Sequence, residues 1–187
     1  MDSKKNIKKF FNIKYVLIAL IFLIVSFAWF EYLAGIILMI VFVPVTYLSV
    51  RYSKMVPHIS LETNTGMACL IGYLYGPTIG FFYGLIVGLT CYLMNSFIKA
   101  TYLSVPVLAG LCAVLVGVFK TIGVSFSTAF VITIILRTVI AYFWYGILGA
   151  DPIERLTHQA SQLLTNILLY LPLLTAILNA VAPVVFS

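Results

Sequence analysis

Long apolar runs broken by short polar stretches cover the chain from Tyr15 onward. Tyr15 to Val50 holds one charged residue, Glu31. That run exceeds the about 20 residues of one membrane helix. A split at Glu31 predicts helices near 14–30 and 33–50, with Pro44 kinking the second. One long tilted helix with Glu31 inside it is the alternative. Residues 51–63 form the first substantial polar connection, and Ser60 or Thr63 suits the start of the next helix.

The segment near 64–97 is dominated by glycine. Gly72, Gly76, Gly80, Gly84 and Gly88 fall at every fourth position. Four helical residues advance about 400°, so these glycines make one slowly drifting smooth stripe. In lipid such a stripe lets helices approach to backbone contact, which predicts a packing role for all five. Pro77 interrupts the stripe and predicts two short helices meeting at Gly76-Pro77-Thr78. Further helices are predicted near 102–119 and 125–149. Asp151-Pro152-Ile153-Glu154-Arg155 reads as a polar loop in which Asp151 and Pro152 suit a helix start. A last helix is predicted near 158–185, bent at Pro172. The total is six or seven membrane helices, depending on the splits at Glu31 and Pro77.

Composition confirms the class. The 187 residues are 63% hydrophobic and 9% charged, with mean hydropathy +1.15. Soluble domains carry about 25% charge. The expected fold is an all-α polytopic membrane bundle forming a single domain over residues 1–187, with no separate aqueous domain. The net charge of +6 does not point to nucleic acid. Lys4, Lys5, Lys8, Lys9 and Lys14 precede the first apolar run. That is the positive-inside pattern, so residues 1–14 are expected in the cytoplasm, with the protein in the cell membrane. Cys69, Cys91 and Cys112 lie in apolar stretches and read as small buried residues.

A few polar residues within these runs are candidates for chemistry. Arg137 lies near the middle of its predicted helix. An arginine at that depth costs several kcal/mol or more unless it is paired or hydrated. It reads either as an anchor for an anionic or polar ligand group or as half of an internal pair with Glu31 or Glu62. His158, Gln162 and Asn166 recur at spacing four, and Gln159 widens the same face. Their amides and imidazole can bind a polar ligand or bond neighbouring helices. His58 and Glu62 are four apart in the polar connection and read as a mutual pair, a polar gate or surface groups. The substrate-binding set is therefore Arg137, His158, Gln162, Asn166 and Glu62. No Walker, nucleophile-elbow or metalloprotease motif is present, and no metal or cofactor is expected. The chain does not read as an enzyme, and without a phosphate loop any active transport needs a separate ATPase.

The loop Val56-Pro57-His58-Ile59 followed by Gly72, Gly76, Pro77, Gly80 and Gly84 resembles the substrate-binding S-components of energy-coupling-factor transporters. The resemblance covers roughly residues 55–120. Ala19, Ala28 and Ala34 do not reproduce the family's Ala-x-x-x-Ala coupling pattern. The resemblance implies a six-helix binder of a small solute such as a vitamin, associated with a membrane coupling subunit and ATPases. MreD-type rod-shape scaffolds are similar in helix plan and central glycines, although Thr90 follows Gly88-Leu89 where an acidic residue is expected. A scaffold or accessory subunit of a membrane complex is the alternative reading.

Overall fold

The computed structural model describes residues 30–55, 61–96 and 100–185. In order, these form α1 (Phe30–Met55), α2 (Asn64–Tyr75), α3 (Pro77–Met94), α4 (Ala100–Thr121), α5 (Phe126–Ile147), α6 (Pro152–Thr165), a π-helical turn (Asn166–Tyr170) and α7 (Leu171–Val185). No strand occurs among the described residues. Among the described residues, five stretches are long and apolar enough to cross a membrane: Leu33–Ser53, Pro77–Met94, Ala100–Thr121, Phe126–Ile147 and Pro152–Pro183. The protein is thus an all-α polytopic membrane protein. The predicted first helix, the basic N-terminus, His58 and Lys99 lie outside the described residues.

The helix at the centre is the shortest α-helix among the described residues. α2 has 12 residues, about 18 Å of rise, against a hydrocarbon core of about 30 Å. All of Asn64 to Gly72 and Leu74 are buried. α2 is by itself too short to cross that core. It folds back on α3 as an antiparallel hairpin inside a surround of α1, α4, α5 and α7.

The glycine stripe makes this possible. A Cβ built on Gly80 would lie 2.5 Å from Gly72 Cα and 2.9 Å from Ala113 Cβ. One on Gly84 would lie 2.9 Å from Ala68 Cβ and 3.0 Å from the Gly110 nitrogen. Gly88 meets the Asn64 amide and Pro106, and Gly72 meets the Ala113 carbonyl. Three backbones therefore touch where any side chain would hold them apart. Gly76 corrects the expectation of packing at every stripe position, because nothing lies within 4 Å of a Cβ there. Its role is conformational: φ is +99° and ψ 161°, a region essentially closed to other residues. Pro77 then occupies the first turn of α3, where its missing N–H costs nothing.

Polar side chains close the ends of this hairpin. Asn64 Nδ2 donates to the Gly84 carbonyl at 2.8 Å, tying α2 to α3. Lys120 Nζ donates to the Leu74 carbonyl at 3.4 Å, so a cation sits at the C-terminal end of α2. Asn64→Ala is expected to lower stability by about 1 kcal/mol, the usual worth of a hydrogen bond between membrane helices. Thermal unfolding in detergent reads this, and an unchanged midpoint would refute a structural role for the bond.

Several boundaries differ from the sequence expectation. Glu31 falls within α1, so no break separates 31 from 33. Residues 152–155 are helical and not loop: Asp151 Oδ1 accepts from the N–H groups of Ile153 and Glu154 at 2.9 and 3.2 Å, capping α6 directly. The expected disturbance at Pro172 takes the form of the π turn just before it. The Leu171 N–H bonds the Asn166 carbonyl, five residues back. Proline cannot donate to the carbonyl four residues earlier, and widening the preceding turn accommodates that loss.

Candidate functional site

Residues 61–63 are an irregular entry into α2, and they are held from two sides. Leu61 N–H donates to Ser53 Oγ of α1 at 3.1 Å, and Thr63 Oγ1 shares a 2.9 Å bond with Ser49 Oγ. From the other side, the Tyr170 hydroxyl of the π turn donates to the Leu61 carbonyl at 2.9 Å. These bonds draw Glu62 into the bundle, where it is 2% exposed.

Four donors converge on the Glu62 carboxylate. Oε1 accepts from Thr65 N–H at 2.8 Å. Oε2 accepts from Thr65 Oγ1 at 2.7 Å, Gln162 Nε2 at 2.9 Å and Arg137 Nη2 at 3.4 Å. The carboxylate also sits at the N-terminal end of α2, where the helix dipole favours negative charge. The side chains of Arg137 and Glu62 are 1% and 3% exposed, so this is a buried ion pair. Such a pair offsets its desolvation only when further hydrogen bonds complete it, and Glu62 has them.

Arg137, Glu62 and Gln162 are thus in direct contact. Asn166 adjoins them, donating Nδ2 to the Gln162 carbonyl at 2.8 Å. The guanidinium charge is balanced by Glu62, so Arg137 is not an open anchor for an anion. Glu62 is likewise an organising hub with its oxygens occupied. Thr65, whose two donors hold that carboxylate, is missing from the set expected from the sequence. A threonine three residues after Glu62 at a helix start was the available clue.

On α5, α6 and the π turn, further buried polar atoms have no hydrogen-bond partner: Arg137 Nε, both amide atoms of Gln159, Gln162 Oε1, Asn166 Oδ1 and Thr133 Oγ1. Gln159, Gln162, Asn166 and Thr133 are each at most 2% exposed. The pattern on α6 is inverted relative to a soluble helix. Gln159 and Gln162 face inward, while Ile153, Leu156 and Leu164 are 74%, 62% and 57% exposed.

His158 takes a different place from the rest of the stripe. It lines a cavity of about 590 Å³ where α4 begins, α5 ends and α6 starts, together with Tyr102, Tyr145, Asp151, Glu154 and Arg155. Its ring lies 6.4 Å from that of Tyr145, centroid to centroid. Arg155 is turned to α5, donating to the Tyr142 carbonyl at 3.2 Å and lying 4.8 Å over the Tyr142 ring. Gln159, Gln162 and Asn166 do not line this cavity. The volume is that of an ordinary small-molecule site. Comparison with family models, with curated proteins and with solved structures finds no match to this chain.

Proposed function

We propose that this chain is a membrane-embedded solute-binding subunit of the S-component type, which takes a small molecule such as a vitamin into its bundle. It would depend on a separate coupling subunit and ATPases, since the sequence has no phosphate loop. On the basic residues Lys4 to Lys14 we place its N-terminus in the cytoplasm and the protein in the cell membrane. The observation that carries the reading is the cavity of about 590 Å³ that His158 lines with Tyr102, Tyr145, Asp151, Glu154 and Arg155. Its size is that of an ordinary small-molecule site, and its wall offers imidazole, carboxylate and aromatic groups to a ligand. One feature favours the scaffold alternative: Arg137 and Glu62 satisfy each other and would hold α2 to α5 without any ligand.

Gentle purification followed by mass spectrometry of bound small molecules and bound proteins separates the two. The binding reading expects a released small molecule near one equivalent. His158→Ala, which alters the cavity wall, should lower that occupancy by about tenfold, with thermal stability little changed. Stable co-purification with other membrane subunits and no released solute would favour the scaffold.

A further inference from the structure

We infer that α6 gates this cavity, swinging about the π turn and held shut by Arg155. This rests on the binding reading above and supplies the regulation of that site. Asp151, Glu154, Arg155 and His158 form one wall of the cavity, while the start of α4 and the end of α5 form the rest. A movement of α6 alone therefore opens or closes it.

α6 has a joint at each end. Its C-terminal end runs into the widened turn Asn166–Tyr170, and helices bend at such turns. The pivot itself is fixed: the Tyr170 hydroxyl holds the Leu61 carbonyl, and α7 beyond it packs on α1 and α2. The N-terminal end follows Gly149, which has φ +82° and open space around it. Between the joints, Gln159 and Gln162 are the only buried residues of 14, against ten of 12 in α2. Both amide atoms of Gln159 and Oε1 of Gln162 are buried without partners, while Ile153, Leu156 and Leu164 face outward. Closing thus desolvates amide groups without replacing their hydrogen bonds, so the inner face of α6 opposes its own seating. A latch is needed to hold it.

Arg155 supplies that latch. It donates to the Tyr142 carbonyl at 3.2 Å and lies 4.8 Å over the Tyr142 ring, tying the first turns of α6 to the end of α5. Gly146 leaves the room for it, because a Cβ there would collide with Arg155 Nη1. The 14 residues of α6 span about 21 Å. A swing of about 15° at the π turn would move the first turn by about 5 Å and Gln162, near the hinge, by only about 2 Å. The cavity wall is thus the part that travels farthest.

Cysteine accessibility tests this on the full-length protein in detergent. Gln159→Cys, and Ala141→Cys as a closed control on α5, are reacted with a membrane-impermeant maleimide. Both positions are at most 2% exposed, and the parent protein, whose Cys69, Cys91 and Cys112 are buried, gives the background rate. Gln159→Cys is expected to react at least about tenfold faster than Ala141→Cys. Adding Arg155→Ala should raise the rate at 159 by about a further tenfold and leave that at 141 unchanged. Gly146→Ala, which displaces the guanidinium and leaves the residues of the cavity wall as they are, should do the same. Should Gln159→Cys fail to fold, spin labels on Leu156→Cys and Leu111→Cys decide, with two distance populations expected and the longer one enriched by Gly146→Ala. Equal rates at 159 and 141, a rate at 159 that neither variant changes, or a single unchanged distance would overturn the gate and leave the binding function standing. Fast reaction at 159 with no released solute would overturn the binding reading alone.

Discussion

Glu62→Ala should destabilise the protein by about 3–5 kcal/mol, because it leaves the Arg137 guanidinium buried without a counter-charge. It also strips Thr65 and Gln162 of their acceptor. Reversible denaturation in mixed micelles, or the thermal midpoint in detergent, measures the loss. The diagnostic variant is the double substitution Glu62→Leu with Arg137→Met. Replacing both members of a buried pair by apolar groups of similar size is often neutral, so the double variant should recover most of what the single one loses. Two losses that simply added would mean the residues are independent, against the contact between them. A Glu62→Ala protein as stable as the parent would mean that the carboxylate does not organise the bundle interior.

Gly80→Ala should be nearly as damaging, at about 3 kcal/mol, although it adds one methyl group. The new atom would meet Gly72 Cα at 2.5 Å and Gly72 N at 2.7 Å, which are backbone and cannot rotate aside. The hairpin would have to open, displacing Gly84 from Ala68 and Gly110 as well. Gly80→Leu would block insertion or assembly outright. The control is Gly123→Ala, which faces open space at φ +81° and should cost about 1 kcal/mol from backbone conformation alone. Equal effects at the two glycines would contradict a close backbone approach at Gly80.

Much of the fold was legible in the sequence because membrane helices satisfy their own backbone, so apolar length alone reveals them. α4 and α5 match the predicted spans within about two residues, the expected uncertainty of helix ends. The break at Gly76-Pro77 was also readable, since proline and a glycine free of side-chain limits punctuate helices locally. The period-four glycines announced close packing through local geometry. They did not say which helix would fill the groove. Small residues such as Ala68, Ala109 and Ala113 supply the facing surface, and these are unremarkable in sequence.

The candidate site divides in the same way. Arg137, Gln162 and Asn166 stood out because polar groups are costly in lipid, wherever they go. What they would touch was not written locally. Glu62 lies 75 residues from Arg137 and 100 from Gln162, and reaches them because Ser49, Ser53 and Tyr170 pull the entry of α2 inward. The sequence by itself determined the class, the helices α2 to α5 and the list of intramembrane polar residues, because each follows from local length, periodicity and transfer cost. Only the tertiary structure decided that the shortest helix is the core, that the arginine is neutralised within the bundle, and that the amide of Gln159 is left without a partner. Those outcomes depend on which helix faces meet, and no local spacing encodes that.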